Sequence, residues 1–89
     1  MTNFDLKVYK VVSKIPFGEV RSYKWVAEMI GQPKAYRAVG GALNRNPFLL
    51  TVPCHRVVNA DGSLGGFARG KKAKRELLDL ERQIKKLMV

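Results

Sequence analysis

Cysteine and histidine are almost missing from this 89-residue chain, which holds one of each. A lone cysteine excludes an internal disulfide framework. With a lone histidine it is also too few ligands for a structural zinc site without carboxylates, so no metal is expected. This cysteine usage fits a reducing, intracellular setting. Acidic residues are scarce too, 7 Asp and Glu against 17 Lys and Arg, which gives a formal net charge of +10. A polyanionic partner is the default inference, nucleic acid being the commonest. A merely soluble basic surface is the alternative. No apolar run is long enough to span a membrane, and residues 1–20 lack a signal-peptide core, so no membrane partner is expected. Repeats, linkers and low-complexity segments are absent, and the length suggests one domain, 1–89, with a small core.

What is there is concentrated. The single cysteine and the single histidine are neighbours in Val52-Pro53-Cys54-His55-Arg56-Val57. Leu49, Leu50, Thr51 and Val52 precede the pair, and Val57 and Val58 follow it. The pattern reads as a short buried strand broken by Pro53, which cannot donate to a central ladder. A thiolate is a strong nucleophile, and a nearby imidazole lowers a thiol's pKa or accepts its proton. The competing reading is a buried, inert structural cysteine beside a surface histidine.

In chain order, Asn3 is placed to cap a first helix whose apolar face is Phe4, Val8, Val11, Val12 and Ile15. Lys7, Lys10 and Lys14 fall on the opposite, solvated side. Pro16-Phe17-Gly18-Glu19 is a turn, and Val20-Arg21 extends briefly. Ser22 looks like the N-cap of a second helix with a stripe of Trp25, Val26, Met29 and Ile30, which Gly31 ends. Pro33 fits the first turn of a third helix over about residues 34–44. Such a helix pair is a helix-turn-helix signature, weak alone.

The third helix is unusual in composition. Ala35, Ala38, Gly40, Gly41 and Ala42 leave much of its surface bare. Adjacent glycines in a helix cost roughly 1 kcal/mol each relative to alanine. Either another helix packs closely there or a partner needs access to the backbone. Val39 and Leu43 face the core, and Arg37 lies near the helix start. Asn46 lies eight residues before Cys54 and is placed to tie helix to strand. Asp61-Gly62 marks a β-hairpin turn. The glycine-rich run Leu64–Gly70 lacks the spacing of a nucleotide loop and reads as a wing or site lip, with Phe67 available for stacking. A last helix, about residues 71–87, has Ala73, Leu77, Leu80, Ile84 and Leu87 as its core stripe. It is strongly basic, and Glu81 adjoins the stripe. The fold class is mainly α with a short β-hairpin, winged helix-turn-helix-like.

Arg37-Ala-Val-Gly-Gly-Ala42, Asn46-Pro47 and Pro53-Cys54-His55-Arg56-Val57 resemble the C-terminal catalytic domain of O6-alkylguanine-DNA alkyltransferases, the methylated-DNA–protein-cysteine methyltransferases. The match runs from about Phe17 to Glu81. The resemblance implies that Cys54 accepts the alkyl group, His55 acts on the thiol through a water, and Glu81 orients His55. Asn46 would be a hinge, Tyr23 would rotate the target nucleotide, and Arg37 would fill the vacated base stack. Ala38 and Gly41 would lie on the bare helix face against a minor groove. The carbonyls of Cys54 and Val57 would read the guanine edge, and Phe67 and Ala68 would line the site. The implied partner is double-stranded DNA containing O6-alkylguanine, with no cofactor and a monomeric protein. The implied reaction is an irreversible, single-turnover transfer to Cys54.

Two departures stand out. Family members usually carry a smaller N-terminal domain, and Met1 begins at the catalytic domain's first helix. They also commonly have Tyr where Phe67 stands, and often Ser where Ala68 stands. Three other classes compete. A non-enzymatic alkyltransferase-like protein that binds alkylated DNA typically has Trp at the acceptor position. A plain DNA-binding regulator leaves the Cys-His pair unexplained, and a Cys-His hydrolase leaves the basic helices unexplained.

Overall fold

Four helices and two very short strands make up the described residues, 2–47, 52–65 and 70–88, of the computed structural model. Thr2 rather than Asn3 caps α1 (Asn3–Val12), its Oγ1 accepting from the Asp5 N–H at 3.0 Å. A cap residue must sit in extended geometry just outside the helix, which Thr2 does and Asn3, already helical, does not. Ser22 caps α2 (Tyr23–Met29) as expected, accepting from the Trp25 N–H at 2.9 Å. Gly31, with φ +79°, turns the chain after α2 in a conformation side chains resist. α3 follows (Tyr36–Asn44), and α4 (Lys71–Met88) closes the chain.

Val8, Tyr9 and Val12 of α1, Val26 and Ala27 of α2, and Val39, Ala42 and Leu43 of α3 form one buried cluster. Met29 of the expected α2 stripe is exposed instead, its place taken by Ala27. Two polar ties lock α1 to α3. The Tyr9 hydroxyl donates to the Ala42 carbonyl at 2.7 Å, and Arg45 donates to buried Asp5 at 2.8 Å.

The strand pairing differs from the expected hairpin. β1 (Arg21–Ser22) runs parallel to β2 (Val57–Val58), with Arg21 opposite Val57 and Ser22 opposite Val58. The Asp61-Gly62 turn does form, with Asn59 N–H donating to Ser63 O at 2.9 Å. No second strand lies beyond it among the described residues. A parallel pair needs a long crossover, and α2 and α3 supply it.

α4 is also rotated from its expected orientation. Lys74, Leu78 and Glu81 point inward, while Leu77, Leu80, Ile84 and Leu87 are exposed. The inward positions are spaced i, i+4, i+7, so they share one face. Hydrogen bonds from two of them hold the helix against the 52–65 segment in place of an apolar stripe.

Candidate active site

Cys54 opens a single 3-10 turn, Cys54–Arg56, directly before β2, where the sequence suggested a broken strand. The Cys54 N–H donates to Val52 O at 2.8 Å and the Arg56 N–H to Pro53 O at 2.9 Å. This tight turn fixes a free thiol that is only 5% exposed. Burial pushes the thiol above its ordinary 9.0. A hydrogen bond from the Asn46 side chain, the backbone N–H groups of Cys54 and His55, and the charge of Lys74 oppose that rise. Asn46 Nδ2 also donates to the Val52 carbonyl at 3.2 Å. Asn46, two residues past the end of α3, is thus tied both to the thiol and to the chain just before it.

His55 lies behind the thiol-bearing turn and is buried. Its Nε2 donates to Glu81 Oε2 at 2.8 Å. Burial raises the Glu81 carboxyl, but hydrogen bonds from Arg56 and His55 more than offset this and hold it below its ordinary value. An ionised Glu81 accepts the Nε2 proton, which assigns His55 the tautomer whose Nδ1 is free to take a proton. Arg56 Nε and Nη2 bind the two Glu81 oxygens at 3.0 and 2.9 Å, and Nη1 donates to the Ile15 carbonyl at 3.1 Å. Sequence reasoning quoted Arg56 without giving it a role. Here it fixes the carboxylate that fixes the histidine.

Lys74 belongs to the strongly basic last helix, yet it is fully buried. Its ammonium donates to the carbonyls of Val57 and Leu64, and to the Tyr23 hydroxyl at 3.4 Å. Burial lowers its pKa from 10.5 to about 8. One signal was available: Lys74 lies seven residues before Glu81, on the same helix face.

Tyr23, Arg37 and Cys54 line one pocket of about 860 Å³. Gly40, Leu43 and Asn44 extend its α3 wall, while Pro33, Lys34 and Tyr36 form the far rim. Asn59 and Ala60 bound it from the segment after β2. Tyr23 stands between two glycines. A Cβ on Gly40 would lie 3.9 Å from its ring, and a Cβ on Gly65 would lie 3.0 Å from both ring and hydroxyl. Burial and proximity to Cys54 raise the Tyr23 pKa above 10.0. α3 has no side-chain cap, so its positive N-terminal end is left to the exposed Lys34 and Arg37 rim.

The other expected residues fall as follows. Ala38 is exposed on the outer face of α3 and does not line the pocket. Gly41 faces away from it, a Cβ there lying 3.2 Å from Arg45 Nη1. The carbonyls of Cys54 and Val57 already accept from the Val57 N–H and from Lys74, leaving each a second lone pair. Phe67 and Ala68 lie outside the described residues. No group of three or more His, Cys, Asp or Glu side chains that could hold a metal occurs among the described residues.

Residues 3–83 match the family model described as "6-O-methylguanine DNA methyltransferase, DNA binding domain". A methylated-DNA–protein-cysteine methyltransferase of Methanosarcina barkeri is 52% identical over 80 residues, 90% of this chain and 51% of the relative. The inducible one of Bacillus subtilis is 48% identical over 82 residues, 92% of this chain and 46% of the relative. The chain spans about half the length of these curated relatives. Among solved structures, Mycobacterium tuberculosis OGT in complex with DNA superposes with a TM-score of 0.91 at 48% identity, covering 93% of this chain and 51% of that one. Schizosaccharomyces pombe Atl1, in complex with damaged DNA containing O6-carboxymethylguanine, gives 0.82 at 34% identity, covering 91% of this chain and 77% of that one.

Proposed function

The chain belongs to the family of 6-O-methylguanine DNA methyltransferase DNA-binding domains, and from that premise we propose that it removes alkyl groups from O6 of guanine in duplex DNA onto Cys54. The observation that carries this is the placement of Cys54. A nearly buried thiol lies on a pocket of about 860 Å³ whose other wall is α3, with His55 and Glu81 behind it. A guanine inside a duplex cannot reach such a thiol, so it must be flipped out, at a cost of a few kcal/mol. The bare face of α3 suits the minor groove, and Arg37, exposed at the pocket rim, fills the stack that the base leaves. The electropositive rim of Lys24, Lys34 and Arg37 attracts the phosphates.

In the transfer, the thiol proton passes through a water to His55 Nδ1. The thiolate forms a bond to the alkyl carbon as the bond from that carbon to O6 breaks. The electron pair of the broken bond passes to guanine, shared by O6 and N1, and the proton held by His55 returns through water to give neutral guanine. Asn46 favours the thiolate by hydrogen bonding, and Tyr23 crowds the target nucleotide's phosphate. The carbonyls of Cys54 and Val57 have a lone pair each for the guanine edge. The thioether on Cys54 meets no second nucleophile, so each molecule reacts once. The protein acts as a monomer, without a cofactor, wherever the cell keeps its DNA. The presence of a thiol at position 54 opposes a purely binding role.

Intact-protein mass after mixing with duplex DNA carrying O6-methylguanine tests this. A stoichiometric gain of one methyl group, lost in Cys54→Ser, is expected. An unchanged mass with tight binding to the lesion would instead make the protein a non-enzymatic lesion binder.

A further inference from the structure

A second cavity lies on the far side of the 59–65 turn from the thiol. It measures about 490 Å³, and four of its walls are cations: Lys71, Lys72, Arg75 and Arg82. All four are exposed on one flank of α4. Among the described residues Asp79 is the only acidic side chain on the lining, and it pairs loosely with Arg82 at 3.7 Å, both ends exposed. The cavity therefore carries an excess of three positive charges, a cluster that repels itself unless an anion neutralises it. Nothing in the chemistry at Cys54 uses it.

The two cavities are neighbours. Asn59 lines both, and Gly65, on the wall of the second, packs against Tyr23 in the first. An anion held here sits just across a single turn from the reacting base. We propose that this cavity is a second DNA-contacting site, one that grips phosphodiesters of the duplex beyond the flipped nucleotide. Two features favour a continuous backbone over a small free anion. The charges are spread along three helical turns from Lys71 to Arg82, and all four side chains are exposed to solvent. The inference rests on the duplex-binding reading above. It adds a contact that the helix-turn-helix alone does not make.

The test is the salt dependence of binding to an undamaged duplex of about 24 base pairs, since each phosphate contact contributes about −0.9 to the log–log slope. Lys71→Gln/Arg75→Gln/Arg82→Gln should flatten the slope by about 2 to 3. Lys7→Gln/Lys10→Gln/Lys14→Gln removes the same charge from exposed positions on α1 and the turn after it, and should change the slope by less than about 1. Both variants should react with free O6-benzylguanine at the parental rate, which reports an intact Cys54 pocket. Equal slope changes in the two variants would overturn the site in favour of a diffuse field. An unchanged slope with pyrophosphate binding lost in the α4 variant would overturn it in favour of a free-phosphate site. Absence of duplex binding in the unsubstituted protein would overturn the duplex-binding reading itself.

Discussion

Lys74 of α4 reaches the Val57 carbonyl, three residues beyond Cys54, and the same ammonium lies 3.4 Å from the Tyr23 hydroxyl. One buried cation thus joins the last helix, the strand after the nucleophile and the start of the helix-turn-helix. Lys74→Met should leave the Val57 and Leu64 carbonyls without this donor. Unsatisfied buried groups cost about 1–3 kcal/mol each, partly offset because no charge is then buried, so a net loss of about 2 kcal/mol is expected. The pH dependence has a definite sign. Lys74 titrates at about 8 in the fold and at 10.5 when unperturbed. Below pH 8 both states hold the proton and its contribution is constant. From about 8 to 10.5 the unfolded chain binds more proton, so this group's contribution to stability rises with pH. Urea unfolding in a Cys54→Ser background should show the gap between Lys and Met at position 74 widening over that range. A constant gap would mean that Lys74 does not change its protonation there.

The thiol gives the opposite kind of signature, one of rate. Burial holds Cys54 above 9.0, so the thiolate fraction still grows with pH beyond neutrality. Single-turnover reaction with free O6-benzylguanine should accelerate from pH 7 to 9 without levelling. Asn46→Ala removes a hydrogen bond that favours the thiolate. With that bond gone the thiol rises further and less thiolate is present at pH 7, so a several-fold slowing is expected there. The loss should shrink at high pH, where thiolate is no longer scarce. A loss independent of pH would assign Asn46 a purely structural role.

His55 and Glu81 should separate in a way the sequence did not suggest. His55→Ala removes the proposed proton acceptor and leaves the Arg56–Glu81 pair intact. Glu81→Ala removes the acceptor of both His55 and Arg56 and strands a partly buried guanidinium. Breaking a buried pair from one side costs about 3–5 kcal/mol when burial is complete, and about 2 kcal/mol is expected here. Both variants should therefore slow transfer, but only Glu81→Ala should also lower the denaturant midpoint clearly. Equal stability losses would deny Arg56 its part in the site.

The legible parts of this molecule were those written in local chemistry. Ser22 as a cap, Gly31 as a stop and the Cys54-His55 pair could all be read from the chain, while Glu81 was placed behind His55 only by the family resemblance. The illegible parts depend on long-range partners. The apolar stripe Leu77, Leu80, Ile84, Leu87 has helical spacing and reads as core, yet it is exposed. α4 instead turns Lys74 and Glu81 inward, because donors and acceptors on the 52–65 segment satisfy them. Periodicity cannot register such polar anchoring. The parallel pairing of β1 with β2 was hidden for a related reason, since two two-residue strands carry no alternation to read.

Gly65 offers the sharpest test of how the 59–65 turn supports the reaction pocket. Its φ is +71°, where a side chain costs about 1–2 kcal/mol. A Cβ there would also lie 3.0 Å from both the hydroxyl and the ring edge of Tyr23, so one of the two must give. The Tyr23 hydroxyl also accepts from the Lys74 ammonium, and the ring faces Gly40, which has room. The ring is therefore expected to shift toward α3 and into the pocket. Gly65→Ala should lose about 1–3 kcal/mol of stability and narrow the space beside Cys54. Transfer from a flipped base in duplex DNA should slow more than transfer from free O6-benzylguanine, because under the proposed function only the former uses Tyr23 against the nucleotide's phosphate. Tyr23→Phe keeps the ring and removes the crowded hydroxyl. The double variant Gly65→Ala/Tyr23→Phe should be less destabilised than the sum of the two single changes, by about 0.5–1 kcal/mol in a double-mutant cycle. Strict additivity would place the whole cost in the backbone of Gly65 and leave Tyr23 unaffected by the turn.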